Sequence, residues 1–234
     1  MTKIIGRIKE KQILTDLYAS KKAEFIAVYG RRRVGKTFLI REFFKKKSNY
    51  FFEFTGQRNA SIKSQLDNFY DVICTNFSLV VPIKKPVTWN EAFKTFTLLI
   101  EQQFFKKKVI IFLDELPWLA SKRSGLIEAL DYFWNRKWSQ MKSIKLIVCG
   151  SAAAWMIEKL INAKGGLYNR LTSIIRLKPF SIFEIKKYIE HKNIKLPNSQ
   201  LVELYMAIGG VPYYFDHVKK GQSATQIIND LYFS

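Results

Sequence analysis

The stretch Gly30–Thr37 places two glycines, a lysine and a threonine at the spacing G-x-x-x-x-G-K-[ST]. The apolar run Phe25–Tyr29 ends directly before it, and an amphipathic helical pattern that includes Phe38 begins at Lys36. In a strand–loop–helix of this kind the glycines let backbone amides turn toward phosphate oxygens, and the helix dipole adds positive potential. The stretch therefore predicts a phosphate-binding loop.

This loop supplies most of the nucleotide-binding residues that we predict. We expect Lys36 to reach the β- and γ-phosphates of a nucleoside triphosphate and the Thr37 hydroxyl to ligate Mg²⁺. The predicted nucleotide-contacting positions are Gly30, Arg31, Arg32, Arg33, Val34, Gly35, Lys36, Thr37 and Phe38. For the three arginines two interpretations stay open: a solvated or partner-facing rim, or a role toward the nucleotide or a neighbouring subunit.

A second apolar run supplies the acidic residues that such a loop requires. Val109–Leu113 is followed by Asp114, which we expect to bind Mg²⁺ through water, and by Glu115, which we expect to orient the attacking water. A surface Asp–Glu pair is the alternative, but such a pair rarely follows a fully apolar strand. The chain has no D-x-x-G at this strand end and no N-K-x-D, which argues against a GTPase.

The next predicted strand ends in Cys149-Gly150-Ser151. A polar side chain at this position of a doubly wound sheet lies beside the phosphate loop, so Ser151 is a candidate sensor of the γ-phosphate. Its hydroxyl is equally suited to cap the helix predicted over Ala152–Ile161, and the two roles are compatible.

Apolar runs of strand length alternate with helical patterns along the chain up to Leu177, which implies right-handed crossovers and a doubly wound, three-layer α/β sandwich. The predicted strands are Phe25–Tyr29, Tyr50–Phe54, Val109–Leu113, Lys145–Cys149 and Ser173–Leu177. Further predicted helices in this part are Ile62–Phe77, Thr88 to about Phe105 with a capping box, Leu126–Trp134 and Ala152–Ile161. Beyond Pro179 only helices are predicted, opening at Ser181, Asn198 and Ser223. We therefore expect an α/β core over residues 1–180 and a small helical unit over 181–234.

Composition indicates a folded, cytoplasmic protein. With 234 residues, 48% of them hydrophobic, the chain can bury a sizeable core. Cys74 and Cys149 lie in apolar runs, as reduced core cysteines of a cytosolic protein do. No run approaches the roughly 20 apolar residues that span a bilayer, so we expect no membrane association.

The net charge of +20 favours a polyanionic partner, of which nucleic acid is the commonest. The alternative is that the charge consists of solvated lysine runs in a composition rich in Lys, Ile, Phe and Asn. These runs are Lys45–Lys47, Lys84–Lys85 and Lys106–Lys108. No recognition helix, zinc-ligand spacing or aromatic RNA-binding signature decides between the two.

In combination, several motifs resemble the archaeal-type ATPases of the AAA+ superfamily of P-loop NTPases, which also have bacterial members. They are GRRRVGKTFLIREF, DELPWL, FWN, CGSAAAWM, GGLYNRLT, LKPF and GGVPYYF, and the resemblance runs from about Ile5 to Ser234. It implies an ATP- and Mg²⁺-dependent ATPase, a sheet ordered 5-1-4-3-2 and a helical lid that closes over the nucleotide.

The resemblance also assigns roles outside the phosphate loop. Ile5-Gly6-Arg7 matches the segment that lies against adenine; a solvated residue before a helix is the alternative for Arg7. Arg170 falls where such proteins carry an arginine finger that completes a neighbour's site in a homo-oligomer; a structural arginine bonding a carboxylate is the alternative. Gly209 to Pro212 would form the lid turn next to the nucleotide, and a helix-ending turn explains it nearly as well.

Two departures limit what the resemblance implies. Similar proteins usually continue into a further C-terminal domain, so we expect either a missing domain or a minimal version. The chain also shows no clear lid arginine for contacting the γ-phosphate. Three functions are consistent with these features: an ATPase switch, a nucleotide-gated signalling scaffold with little turnover, and a small-molecule phosphotransferase. The absence of a recognisable acceptor pocket disfavours the third.

Overall fold

A computed structural model describes residues 4–45, 47, 50–77, 83–104, 107–162, 167 and 169–233. Several sequence predictions fall outside these residues. They are the helix end near Phe105, the lysines Lys46 and Lys106, and Gly165, Gly166 and Tyr168 of the GGLYNRLT motif.

Five parallel strands form one sheet in the order β2-β3-β4-β1-β5, which is the predicted order 5-1-4-3-2 read from the other edge. The strands are β1 Glu24–Tyr29, β2 Tyr50–Thr55, β3 Val109–Asp114, β4 Ile144–Gly150 and β5 Ser173–Arg176. β3 and β4 are buried along their whole length because both faces of the sheet are covered, as their unbroken apolar sequences predict. The predicted fold class is confirmed.

Helices cover both faces of the sheet and continue beyond it. They are α1 Ile8–Ala19, α2 Lys36–Phe44, α3 Ile62–Phe77, α4 Trp89–Phe104, α5 Leu116–Leu119, α6 Leu126–Arg136, α7 Ala153–Met156, α8 Ile182–His191, α9 Asn198–Ile208, α10 Pro212–Phe215 and α11 Ala224–Tyr232. The single helix predicted over Ala152–Ile161 is instead α7 followed by a π-helical segment, Ile157–Ile161. The predictions did not assign α1, α5 or α10.

Capping explains where three helices begin. The Ser181 and Ser223 hydroxyls accept from the amides of Glu184 and Gln226, whose side chains bond back to the cap residues. These are the capping boxes that the sequence predicts for α8 and α11. At α4 the Thr88 hydroxyl accepts from the Glu91 amide at 3.2 Å.

The sheet separates two apolar clusters. Alternate residues of β1 point to opposite faces: Phe25 and Ala27 join the cluster that α3, α4 and α6 cover, whereas Ile26 and Val28 join the one under α1 and α2. Of the two free cysteines, Cys149 is buried in the second cluster and Cys74 is only half-buried.

A third apolar cluster lies among α8, α9, α10 and α11, separate from both clusters of the sheet. Its members include Phe180, Leu204 and Phe215. Gly210 brings the turn before α10 against Phe180: the Phe180 amide donates to the Gly210 carbonyl at 2.6 Å, and a Cβ on Gly210 would lie 1.9 Å from the Phe180 carbonyl oxygen. Only glycine fits this turn.

A helix that crosses a bilayer needs about 20 predominantly apolar residues. Within the described part of the chain, no helix is both long and apolar enough to cross a membrane.

Candidate functional site

The loop between β1 and α2 turns sharply at its two glycines. Gly35 has φ of 90° directly before α2, and Arg33 has φ of 66°. A Cβ on Gly30 would lie 2.2 Å from the Leu177 carbonyl oxygen, because the loop starts directly against the end of β5. The glycine spacing therefore meets two separate needs, a left-handed turn and a close backbone approach.

Lys36, the first residue of α2, points into this loop. Its side chain is 6% exposed, and its ammonium donates to the carbonyls of Gly30 at 3.0 Å and Arg31 at 3.1 Å. The loop thus wraps around a buried positive charge at a helix N-terminus, which is the arrangement that binds phosphate groups.

Thr37 and Asp114 meet although 77 positions separate them in sequence: the Thr37 hydroxyl donates to a carboxylate oxygen of Asp114 at 2.6 Å. Asp114 ends β3 and is 3% exposed. Beneath it, burial raises the pKa of the Cys149 thiol well above its usual value, and the neighbouring Asp114 carboxylate adds to this effect.

Glu115 turns out of β3 in a left-handed conformation, with φ of 48°. One oxygen of its carboxylate accepts from the Ser151 hydroxyl at 3.0 Å and from the Ser151 amide at 3.3 Å. Ser151 does not serve as a side-chain cap, because the N-cap of α7 is Ala152 and has no side-chain cap hydrogen bond. The ends of β3 and β4 are joined here by a carboxylate and a hydroxyl.

These groups lie at one end of a cleft of about 950 Å³ between the sheet and the helices that follow it. The predicted residues that line this cleft are Ile5, Arg7, Arg32, Arg33, Val34, Gly35, Lys36, Thr37, Phe38, Glu115 and Pro212. Gly30, Asp114 and Ser151 do not line it but are bonded to residues that do. The structure thus brings together nearly all of the predicted positions.

Two predicted residues lie apart from the cleft. The side chain of Arg31 is exposed, and only its carbonyl takes part in the site. Arg170 is exposed on the segment before β5, and among the described residues no carboxylate pairs with it. The alternative of a structural, carboxylate-bonded Arg170 therefore has no support within the described chain.

Arg7 is 5% exposed, so the alternative of a solvated residue is wrong. Its guanidinium donates to the carbonyls of Lys178 at 2.7 Å and Val34 at 3.1 Å, and lies 4.3 Å from the centre of the Phe180 ring. Its amide donates to the carboxylate of Glu184 at 3.0 Å. Arg7 therefore ties the N-terminal segment to the phosphate loop, to the linker after β5 and to α8.

Burial and neighbouring charges shift the pKa values of Arg7 and of its partner Glu184. Burial lowers the pKa of Arg7, while the nearby carboxylates of Glu10 and Glu184 oppose that shift. Partial burial raises the pKa of Glu184, but hydrogen bonds from Arg7 and Ser181 outweigh it and leave the pKa below its usual value.

The helical side of the cleft was not predicted from the sequence. It is lined by Phe180, Tyr188, His191, Lys192, Tyr213 and Asp216. Tyr188 donates to Asp216, and the Lys192 ammonium donates to the Asp216 carbonyl at 2.7 Å. Arg33 stacks on Tyr213 across the cleft, 4.2 Å from the ring centre. The spacing of Tyr188, His191 and Lys192 on one face of α8 was the available signal.

The oxygen ligands present suit Mg²⁺. Thr37 and Asp114 place a hydroxyl and a carboxylate side by side, and Mg²⁺ is usually held by one or two such protein oxygens together with phosphates and waters. Within the described residues there is no cluster of three or more His, Cys, Asp or Glu that would hold a metal on its own. The residues therefore fit a magnesium ion that arrives with a nucleotide.

A five-stranded parallel sheet with a lysine-filled phosphate loop at the carboxyl end of β1, and an acidic residue from β3 beside it, defines a P-loop nucleotide-binding domain. The comparisons agree. Residues 5–218 match the family described as an ATPase domain predominantly from Archaea, and the chain belongs to that family.

Individual relatives share low identity with the chain. An uncharacterized protein of Methanocaldococcus jannaschii is 26% identical over 92% of the chain and 44% of its own length. The chain thus spans less than half of that curated relative.

Two solved structures share the fold. A Walker-type ATPase of Pyrococcus abyssi, 19% identical, has a TM-score of 0.67 over 97% of this chain and 72% of its own. The ORC2 protein of Aeropyrum pernix, 16% identical, has a TM-score of 0.64 over 99% of this chain and 63% of its own.

Proposed function

We propose that this protein binds ATP with Mg²⁺ and hydrolyses it, and that nucleotide binding and hydrolysis move a helical lid against the α/β core. The observation that carries the proposal is the 2.6 Å hydrogen bond between Thr37 and Asp114 beside the buried ammonium of Lys36. A hydroxyl, a carboxylate and an ammonium in this arrangement match the magnesium and phosphate contacts of a nucleoside triphosphate.

Within this proposal the loop residues divide the work of binding. Lys36 exchanges its bonds to the Gly30 and Arg31 carbonyls for the β- and γ-phosphate oxygens. Thr37 and Asp114 would hold Mg²⁺, which when bound would supply positive charge to the phosphates. Amides of the loop from Gly30 to Gly35 surround the phosphates.

Glu115 is the proposed base that orients the attacking water. Its carboxylate lines the cleft one residue beyond Asp114, and the hydrogen bonds from Ser151 fix its direction. The same bonds make Ser151 a candidate for relaying the presence of a γ-phosphate from β4 to Glu115.

The lid is proposed to comprise residues 181–234, after a core of residues 1–180. Two observations support this division: the separate apolar cluster among α8 to α11, and the position of the cleft between that cluster and the phosphate loop. Arg7, through Glu184, and the Arg33–Tyr213 stack are the contacts that would hold this lid against the core.

The nucleotide base is proposed to lie against the part of the cleft that Ile5, Arg7 and Pro212 line. Phe38, 43% exposed on the outer side of α2, offers an apolar contact to the nucleotide.

Arg170 is proposed to act on the site of a second copy of the chain. Its exposure and its lack of a carboxylate partner within the described chain support this role. An arginine supplied in this way accelerates phosphoryl transfer by roughly 10³-fold or more.

A mixing experiment tests hydrolysis and the role of Arg170 together. Lys36→Ala and Arg170→Ala should each lose ATP turnover, and a mixture of the two should regain a substantial part because each copy supplies what the other lacks. Turnover per molecule of the unchanged protein should rise with protein concentration. Arg136→Ala, which removes an exposed arginine of α6, is the control and should keep full turnover; a mixture that stays inactive would refute action between subunits.

A nucleotide-gated scaffold with little turnover is the second candidate. The hydrogen bonds from Ser151 favour it, because both occupy the same Glu115 carboxylate oxygen, which is then less available to accept from an attacking water. Single-turnover hydrolysis separates the candidates: under this second one, bound ATP remains largely intact while the lid contacts still change.

Nucleic acid is the proposed partner of the strongly basic chain, whose net charge is +20. The proposed location is the cytoplasm, which the two free thiols support.

A further inference from the structure

Arginine is unevenly distributed in this chain. Most basic residues are lysines, yet half of the arginines lie in loops at the carboxyl ends of β1, β2 and β3, around the mouth of the phosphate loop. These are Arg31, Arg32, Arg33, Arg58 and Arg123. A composition that merely favours lysine would not place arginine preferentially in these loops.

All five side chains are exposed. Arg33 stacks on Tyr213, and we call the other four, Arg31, Arg32, Arg58 and Arg123, the arginine rim. Within the described part of the chain no carboxylate pairs with any of them. Two of the other arginines do contact carboxylates: Arg7 lies 3.8 Å from Glu10, and Arg41 bonds Glu53 through its Nε at 2.7 Å.

Contacts between the loops hold the rim together. The side-chain amide of Gln65 donates to the backbone carbonyl of Gln57 at 2.7 Å and to that of Trp118 at 3.3 Å. These two bonds join the loop of Arg58 to α5. The Arg32 guanidinium lies 5.9 Å from the centre of the Trp118 ring, which joins the phosphate loop to the same helix.

The loop that carries Arg123 follows α5 directly. A Cβ on Gly56 would lie 2.8 Å from the Glu115 carbonyl oxygen and 2.9 Å from Leu119, so the ends of β2 and β3 are in close contact here. Arg58 is two residues beyond Gly56 and Arg123 four beyond Leu119, and such short segments span at most about 7 and 14 Å. The four arginines therefore share one edge of the molecule.

Exposed guanidinium groups without carboxylate partners suit the phosphates of a polymer. A guanidinium is a planar fork that binds phosphate through paired hydrogen bonds, and it is less strongly hydrated than an ammonium. A guanidinium reads guanine only where a helix or a β-ribbon carries it into the major groove. The four rim arginines lie outside all helices and strands, so the contact that they offer is to the phosphates.

We propose that the arginine rim binds the phosphodiester backbone of nucleic acid without base specificity, next to the nucleotide cleft. This inference rests on the nucleic-acid association proposed above and gives it a location. Since Arg32 flanks the cleft and belongs to the phosphate loop itself, the bound strand lies beside the proposed ATP site.

The test compares two double variants by fluorescence anisotropy. Arg58→Gln with Arg123→Gln removes two rim charges outside the phosphate loop, and Lys137→Gln with Lys142→Gln removes two exposed charges at the opposite end of the sheet. The probes are a fluorescein-labelled mixed-sequence 30-nucleotide DNA strand and its duplex, each titrated over a series of salt concentrations.

The rim variant should bind at least about tenfold more weakly at 100 mM salt, and its log–log salt dependence should be shallower by roughly 1.5, since each lost phosphate contact removes about 0.7 to 0.9. The control variant should stay within about twofold of the unchanged protein. Nucleotide-induced thermal stabilisation should be the same in both variants, which separates this inference from the proposed ATP site.

If nucleic-acid binding weakens equally in the rim variant and the control variant, the proposed location on the arginine rim is wrong, although the association with nucleic acid still stands. Failure of the unchanged protein to bind either probe at low salt would overturn both. Competition by polyglutamate as effective as that by the unlabelled strand would show that the rim recognises acidic protein segments, which also overturns the proposal.

Discussion

The cleft has two walls that are held together in different ways. The sheet wall, formed by the phosphate loop and the ends of β3 and β4, relies on buried groups such as Lys36 and Asp114. The helical wall, formed by α8 and α10, relies on half-buried or exposed side chains such as Lys192 and Asp216, which bond mainly to each other. One wall is fixed by strand register, whereas the other packs around an apolar cluster of its own.

This difference suits the separate tasks that we propose for the walls. Groups that contact phosphates and orient water must be preorganised, and the ends of adjacent parallel strands provide that rigidity. Groups that respond to the nucleotide must exchange partners, and exposed side chains on a helical unit do so at small cost. Arg7 and Arg33 are the described contacts that cross from one wall to the other.

The largest expected effect is on the sheet wall. Glu115→Gln should lower ATP turnover by roughly 10²- to 10⁴-fold, because an amide cannot accept the proton of the attacking water. ATP affinity should change little, since the amide oxygen can still accept from Ser151. Steady-state turnover and equilibrium binding measure the two quantities, with Glu128→Gln on the surface of α6 as the control; unchanged turnover in Glu115→Gln would remove Glu115 from the mechanism.

The second-largest effect is expected on the free energy of unfolding, through the contacts of Arg7 that connect the two walls. Arg7→Met should lower the free energy of unfolding by about 3 kcal/mol, because it leaves the carbonyls of Val34 and Lys178 without their donor. Arg41→Met, which breaks an ion pair of an arginine that is 53% exposed, should cost at most about 1 kcal/mol. Urea unfolding checks both values, and equal losses would contradict the clamp assigned to Arg7.

A smaller effect is expected at the stack between the walls. Tyr213→Leu removes the ring beneath the Arg33 guanidinium, and a cation–π contact at an exposed site is worth about 0.5 to 1 kcal/mol. The dissociation rate of a fluorescent ATP analogue should therefore rise by about two- to fivefold. Tyr213→Phe keeps the ring and should leave the rate unchanged; identical rates in both variants would show that the stack does not hold the lid.

A separate effect, on the pH dependence of stability, concerns a lysine away from both walls. Burial lowers the pKa of Lys145 to about 8, from 10.5 in the unfolded chain, while its ammonium donates to the Ser20 carbonyl at 3.0 Å. Between these pKa values the unfolded chain binds more protons, so this lysine makes stability rise with pH. Relative to Lys145→Met, the unchanged protein should gain stability between pH 7.5 and pH 9.5 in urea unfolding. The exposed-site control Lys137→Met should show no such trend, and a flat difference for Lys145→Met would contradict the assignment.

The sheet wall was predictable from sequence because its residues follow recognisable strands. Apolar runs locate the strands, carboxyl ends of parallel strands share one edge, and the spacing around Lys36 and Asp114 then identifies the site. The strand order came from the family resemblance, since periodicity alone does not rank crossovers. The burial of Arg7 escaped prediction because its partners, Val34 and Lys178, are distant in sequence.

The helical wall was not predictable in the same way. Which face of α8 meets the cleft depends on how the helices pack over the third apolar cluster, and no motif records that choice. The break of the predicted Ala152–Ile161 helix into α7 and a π-helical segment likewise has no periodic signature, since its apolar residues fit both forms.

The most direct test of the account asks whether Lys36, Thr37 and Asp114 hold a nucleotide together. At an ATP–Mg²⁺ concentration of 100 times Kd, binding stabilises the folded state by about 2.7 kcal/mol, which raises the Tm of a domain of this size by roughly 5 to 10 °C. The unchanged protein and Lys45→Ala, altered at the other end of α2, should show this rise relative to their own unliganded Tm. Lys36→Ala should show none, and a rise in Lys36→Ala equal to that of the unchanged protein would contradict the proposed site.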